Sequence, residues 1–273
     1  MPHILFRDKK IYYQVSGSGK PVMLLHGFGE NGSIWSRQIE VLSGKYLIIV
    51  PDIPGSGQSE KLDGRCTIED YAEVVKAITD EVIFKSVPKE NSQFSLIGHS
   101  MGGYITLAFA EKYPDILNSF GLFHSSAFAD DEAKKNTRRK GIDFIQKNGS
   151  EAFLKASVPN LFAGQTKKEN PELVNQLLQM GKSIEPAALT QYYEAMILRP
   201  DRTSVLETFL KPVFFVMGKY DNAVSLDISL LQCHLPSEAI MHILQHSGHM
   251  GMWEEDELSS IYLGDFLKIA IRN

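Results

Sequence analysis

Cysteine is nearly absent from this chain: Cys66 and Cys233 are the only two in 273 residues. So few thiols exclude a disulfide-stapled scaffold and a cysteine-built zinc site, and they suit a reducing compartment. Long apolar runs are missing too. Nothing approaches the roughly 20 residues that a membrane-spanning helix needs. The opening Met1-Pro2-His3-Ile4-Leu5-Phe6 leads into Arg7-Asp8-Lys9-Lys10, without the apolar segment of a secretory signal. Nor is there an excess of positive charge. The 28 Lys and Arg against 33 Asp and Glu leave a net charge of −5, which excludes the basic character expected of a nucleic-acid or anionic-membrane partner. The expectation is a cytoplasmic protein whose partner is a small molecule, with its oligomeric state left open. Internal repeats and low-complexity linkers are lacking as well. What is present, 43% hydrophobic and 22% charged residues, is ordinary for one large domain with room for an insertion.

The apolar pattern sets the fold class. Residues 4–6 and 11–15 read as short strands about the charged turn Asp8-Lys9-Lys10. Continuous apolar runs at 21–25 and 46–50 suit strands buried on both faces of a parallel sheet. Between them Ile34, Trp35, Ile39 and Leu42 recur at helical spacing. A capping residue, Thr67, heads a helical face that continues through Val74, Val75, Ile78, Val82 and Ile83. Further strands are predicted at 94–97, 116–123, 212–217 and 239–244, with helices at 104–110, 226–233 and 254–271. This alternation means an α/β fold with a mostly parallel sheet. From Ser126 to about Pro200 the rhythm changes to helical patterns punctuated by Pro159, Pro171, Pro186 and Pro200. The expected organisation is a core of 1–125 and 201–273 with a helical cap, 126–200, inserted over the site. The basic run from Lys134 to Lys140 reads as a solvated helix face.

Gly98-His99-Ser100-Met101-Gly102 lies between a strand pattern and a helix pattern. A serine there sits on a tight turn, and glycines two residues to either side remove side chains that would clash. The turn presents the hydroxyl to the cleft and leaves the Met101 N–H at a helix N-terminus, where developing negative charge is favoured. Serine needs a base in contact, and the base needs a partner to fix its tautomer. Both belong at carboxyl ends of strands, where open α/β sheets bind ligands. His249 follows the last strand and Asp221 the one before it, giving the chain order Ser100, Asp221, His249. His246 is the alternative base, and Asp227 and Asp201 are alternative acids. The segment Phe123-His124-Ser125-Ser126 offers no acid of its own. The eight histidines show no zinc-binding spacing, so neither a metal nor a cofactor is expected.

On these motifs the chain resembles the α/β-hydrolase superfamily, and in particular serine-dependent, esterase-like members with a helical cap. His26-Gly27-Phe28-Gly29 matches the oxyanion-loop pattern, and Asp52-Ile53-Pro54-Gly55-Ser56-Gly57-Gln58-Ser59 matches a turn that supports the cleft. The resemblance implies an eight-stranded sheet flanked by helices, with the Phe28 and Met101 amides forming the oxyanion hole. It also departs in one place: the acid loop runs Asp221-Asn222-Ala223-Val224-Ser225, without the usual Val-Pro. Relatives that open haloalkanes or epoxides use an aspartate nucleophile where this chain has Ser100.

The expected activity is hydrolysis of a carboxylic ester of a small to medium, largely apolar substrate through an acyl-enzyme. A carbon–carbon hydrolase, lactonase or lyase on the same triad is the alternative, and it calls for an arginine from the cap: Arg138, Arg139 or Arg199. A slow-turnover ligand sensor of the same fold is a second alternative. Phe28, His124, Phe153, Tyr192 and Met196 are the candidate substrate contacts, and Phe162 and Tyr193 join them for inspection. The cap aromatics also read as lid core, His26 and His99 as structural histidines each donating to a backbone oxygen, and His124 as structural or touching substrate at a strand end that faces the cleft.

Overall fold

The computed structural model describes residues 2–85 and 93–270. Met1 and the expected helix end at Ile271 lie outside them. The sheet opens with an antiparallel hairpin of β1 (His3–Phe6) and β2 (Lys9–Ser16). Arg7 and Asp8 both have positive φ, 49° and 62°, the backbone twist of a two-residue hairpin turn. β3 (Lys20–Leu25), β4 (Tyr46–Pro51), β5 (Phe94–His99), β6 (Leu117–Phe123), β7 (Val213–Gly218) and β8 (Ala239–Leu244) complete an eight-stranded sheet. Its order is β1-β2-β4-β3-β5-β6-β7-β8; β2 pairs antiparallel with β4, and every later pairing is parallel. The continuous apolar runs fall where both faces are covered: β5 and β7 are buried along their whole length.

Helices α1 (Ser36–Leu42), α2 (Ile68–Ile78) and α3 (Met101–Lys112) follow the strands in turn. Thr67 and Asp70 close a full capping box on α2, satisfying donors that the first turn leaves orphaned. The expected continuation through Val82 and Ile83 is present but widened into a π turn, Thr79–Ile83, where the Phe84 N–H donates to the Thr79 carbonyl at 3.1 Å.

Between β6 and β7 come α4 (Glu132–Ser157), α5 (Gly164–Glu169), α6 (Pro171–Gly181), α7 (Pro186–Leu198) and α8 (Thr203–Thr208). The two helical patterns expected at 142–145 and 152–154 belong to one element kinked at Gly149, whose φ is 84°. α5 and α8 carry too few apolar residues for periodicity to register. After β7 come α9 (Leu226–Gln232), the short α10 (Gly251–Glu254) and α11 (Asp256–Ala270). The final helix begins earlier than expected and breaks at Glu255, whose φ of −132° is not helical. Among the described residues no helix is long and apolar enough to cross a membrane.

Candidate active site

Ser100 stands between the end of β5 and the start of α3 with φ 52° and ψ −117°, a strained conformation for a residue with a Cβ. Two close approaches hold it there. A Cβ on Gly98 would lie 2.2 Å from the Gly102 carbonyl, and one on Gly102 would lie 2.7 Å from the carbonyl oxygens of Leu25 and His26. The Ser100 N–H donates to the Phe123 carbonyl at 3.0 Å, and the Ser125 hydroxyl donates to the Ser100 carbonyl at 2.7 Å. Backbone and neighbours are therefore committed, while the side-chain hydroxyl has no hydrogen-bond partner among the described residues. Met101 is the first residue of α3, so its N–H lacks an intrahelical acceptor.

β7 and β8 deliver the other two groups. A Cβ on Gly218 would sit 1.9 Å from the Gly248 carbonyl oxygen, so only glycine lets the two loops touch. The Asp221 Oδ2 then accepts from His249 Nδ1 at 2.7 Å, while its Oδ1 accepts the Ala223 and Val224 N–H groups at 2.8 and 2.9 Å. Oδ2 accepts a second imidazole, His124 Nδ1, at 3.1 Å. Burial would raise the Asp221 carboxyl, but the charge and hydrogen bond of His249, together with those of His124, outweigh it and hold the group far below the usual carboxylate range. Burial lowers His249, and the Asp221 carboxylate reverses that, leaving the imidazole above its ordinary 6.5. In His124 burial wins, and its value falls to about 4 despite Asp221. The ring nitrogens of His124 and His249 and an Asp221 oxygen lie within 4.8 Å of one another. A metal there would compete with the carboxylate's hydrogen bonds to both rings.

Ser100 and His249 line one cavity of about 600 Å³, walled by Phe28, Leu154, Val158, Leu161 and Met196. The last four come from the helical segment between β6 and β7, so the expected cap region and the sheet share this space. A strained serine at a strand–helix turn, a carboxylate-held imidazole and a cavity common to both converge with a family match. A family model described as the alpha/beta hydrolase fold matches residues 20–256. The chain belongs to that family.

Several members resemble it over most of its length. A 2-hydroxy-6-oxononadienedioate/2-hydroxy-6-oxononatrienedioate hydrolase of Paraburkholderia phymatum is 26% identical over 95% of this chain and 91% of its own. A solved thermophilic esterase from Thermogutta terrifontis, with malate bound, superposes at TM-score 0.89 with 26% identity, covering 96% of this chain and 94% of that one. The enol-lactonase of Burkholderia xenovorans shares the fold at TM-score 0.87 with 19% identity, over 98% of this chain and 100% of its own. Uncharacterised proteins of Mycobacterium bovis and Mycobacterium tuberculosis match only 48% of this chain, which spans 37% of their length.

In this member of the alpha/beta hydrolase family, the expected substrate contacts divide. Phe28 and Met196 line the cavity, and so does Tyr193. His124, Phe153 and Tyr192 are not among its lining residues. His124 is fully buried and spends Nδ1 on Asp221. Tyr192 is a strut, its hydroxyl 2.9 Å from that of Ser56 and 2.8 Å from the Pro54 carbonyl. Phe153 packs edge-on to Phe28 at 6.1 Å, behind it, and Phe162 is buried away from the space.

Of the alternatives, His246 is exposed, Asp201 accepts the Thr203 N–H at 3.0 Å just before α8, and Asp227 is exposed on α9. His26 donates Nδ1–H to the Gly27 carbonyl at 2.9 Å and accepts the Ile53 N–H at Nε2, 2.8 Å. Asp52 accepts the Gly32 and Gln58 N–H groups at 2.8 and 2.9 Å, which ties its turn to the loop that follows β3.

The basic run departs from expectation. Lys134 and Arg138 line the cavity, whereas Arg139 is exposed and pairs with Glu132. Their i, i+4 spacing places both on the inward face that Gly141 and Ile145 continue. Arg199 is buried beside them with its guanidinium 3.8 Å above the Tyr104 ring. Sequence reading also passed over Glu30, Tyr104 and Glu254; the only signal for Glu30 is its place directly after the His26–Gly29 motif.

Proposed function

We propose that the chain is a serine hydrolase that opens carboxylic esters through an acyl-enzyme. The supporting observation is that Ser100 and His249 share one cavity while Asp221 fixes the His249 tautomer through Nδ1. Nε2 is thereby left as the basic nitrogen. Ser100 attacks the acyl carbon as His249 takes its proton, and Asp221 stabilises the imidazolium without itself being protonated. The amides of Phe28 and Met101 receive the tetrahedral oxyanion, each donor being worth about 3–4 kcal/mol to the transition state. The imidazolium protonates the leaving alcohol, and water then attacks the acyl-enzyme by the same route in reverse. Helices between β6 and β7 act as a cap whose Leu154, Val158 and Met196 give the cavity its apolar wall.

The test is a series of 4-nitrophenyl esters of graded chain length, assayed with wild type and with Ser100→Ala. Wild type releases nitrophenol, and the variant loses about 10⁴-fold or more of the rate. Absence of release from every ester overturns the reading. Arg138 in the cavity wall favours a second reading, hydrolysis of a carbon–carbon bond in an oxo-dienoate, the kind of substrate named for the hydrolase of Paraburkholderia phymatum. Cleavage of such a dienedioate with no ester turnover selects it.

A further inference from the structure

One wall of the Ser100 cavity gathers polar donors that the protein leaves partly unspent. Arg138 donates from Nε to Asp130 Oδ2 at 2.5 Å, and Arg199 reaches Asp130 Oδ1 at 2.9 Å. One fully buried carboxylate thus serves two guanidinium groups, whose side chains are 12% and 4% exposed. Lys134 adds a third cation; its ammonium donates to the Ala223 carbonyl at 3.1 Å and has no other partner among the described residues. The other acids at the cavity are committed. Asp131 is exposed and caps α4 through the Lys134 N–H, and Glu30 is bound to the Gly27 N–H and to His99. Tyr104, one helical turn beyond Ser100, also lines the cavity at 4% exposure, and its hydroxyl has no hydrogen-bond partner among the described residues. Burial would raise that phenol, but the charges of Arg199, Arg138 and Lys134 bring it below its ordinary value. Asp130, Asp131 and Glu30 balance Arg138, Arg199 and Lys134 in formal charge, but the Lys134 ammonium and the Tyr104 hydroxyl keep donors unspent at the cavity. A desolvated donor without an acceptor is costly until a ligand supplies one.

We infer that the substrate carries a carboxylate, which docks on Arg138, Lys134 and the Tyr104 hydroxyl while its ester lies at Ser100. This rests on the hydrolase reading above and narrows its substrate to an anionic ester, such as the half-ester of a dicarboxylic acid. A guanidinium presents its N–H groups in a planar fork that matches two carboxylate oxygens. The Arg138 Nη1 makes no hydrogen bond among the described residues and is left for that contact. The apolar residues Leu154, Val158 and Met196 suit the chain between the two polar ends.

Calorimetric titration with heptanoate and with heptanamide reads the site without catalysis. Heptanoate binds wild type about tenfold more tightly than heptanamide, and Arg138→Gln and Lys134→Gln each erase most of that margin. Lys134→Gln is the safeguard should loss of Arg138 unsettle the Asp130 cluster, and Arg138→Lys recovers part of the margin. Equal affinity of wild type for the acid and the amide, or an unchanged margin in both Gln variants, overturns the inference. Turnover of mono-4-nitrophenyl heptanedioate against 4-nitrophenyl heptanoate separates the two proposals. Preference for heptanoate over heptanamide without cleavage of either ester sinks the ester reading and keeps the anion site. Cleavage of both with no preference in KM does the reverse.

Discussion

The Glu30 carboxylate meets the His99 imidazole, Oε2 to Nδ1, at 3.0 Å in a place closed to solvent. The same oxygen accepts the Gly27 N–H at 2.6 Å, and the other ring nitrogen of His99 donates to the His249 carbonyl at 3.0 Å. One buried pair thus links the loop bearing Phe28, the residue before Ser100 and the backbone of His249. Burial would raise Glu30, but the charge and hydrogen bond of His99 dominate, so its carboxyl sits below the ordinary 4.5. Glu30→Ala strands both His99 and the Gly27 N–H and should cost about 3–5 kcal/mol in urea unfolding. Glu30→Gln keeps an oxygen in place and should cost less. A depressed carboxyl stabilises the fold above its unfolded value and loses that contribution as pH falls through the folded one. The wild-type stability slope below pH 4.5 should accordingly shrink in Glu30→Gln; an identical slope would show that the pair carries no charge.

His124 and His249 act on stability in opposite pH windows. His124 falls from 6.5 to about 4, so the native state resists its protonation. Its contribution is complete above pH 6.5 and is lost toward about 4, an effect of about 3 kcal/mol. His249 is raised above 6.5, so its contribution is complete below 6.5 and fades as pH rises through the folded value. Together they place a stability maximum near pH 6.5. His124→Asn, which tolerates the positive φ of 50° at this position, should flatten the acid side and leave the alkaline side in place. Melting temperatures across pH 4–9 check both limbs, and an unchanged acid limb would remove His124 from the account.

How far the chain reveals itself depends on where the signal is local. The elbow is legible because an apolar run, paired glycines and a helical pattern are contiguous around Ser100. Asp221 and His249 are legible because each follows a readable strand, and the structure brings them to 2.7 Å. His124 is not, because its partner Asp221 lies 97 residues away and nothing near it in sequence announces the contact. Lys134 is misread for a related reason, and Arg138 is legible only as one of three candidate cap arginines. Charge ordinarily marks a solvated face, and only the pairing across α4, Asp130 and Arg199 shows that this face turns inward. Tyr192 reads as a pocket aromatic until its hydroxyl is found on Ser56 and Pro54.

Gly102 should tolerate no side chain. A Cβ there meets two backbone carbonyl oxygens at 2.7 Å, and backbone of β3 and its following loop cannot retreat without disturbing the sheet. Gly102→Ala should lose about 3 kcal/mol or more, with activity falling alongside. Gly44→Ala is the control, since a Cβ there has nothing within 4 Å and its φ is not positive. Its effect should stay within about 1 kcal/mol, on the stabilising side. Similar melting curves for the two variants would refute the steric account of the elbow.

Glu254 ties the His249 loop to the segment that opens α5. Its Oε1 accepts the Gly248 and Met250 N–H groups at 2.8 and 3.2 Å, and its Oε2 accepts the Ala163 N–H and the Thr166 hydroxyl at 2.8 and 2.7 Å. Four donors use both oxygens, so an amide cannot replace the carboxylate: one end of Gln would bring an NH₂ against N–H groups. Glu254→Gln should therefore loosen either the His249 loop or the α5 segment, each lost bond to a charged acceptor being worth about 1.5–3 kcal/mol. The His249 backbone is gripped from the same side, its N–H donating to the Leu161 carbonyl at 2.6 Å. Displacement of that loop moves the imidazole relative to Ser100 and should lower kcat about tenfold or more while KM changes little. Thr166→Val removes only the α5 hydroxyl and serves as the comparison. Equal losses of kcat in the two variants would place the effect in the α5 segment rather than in the positioning of His249.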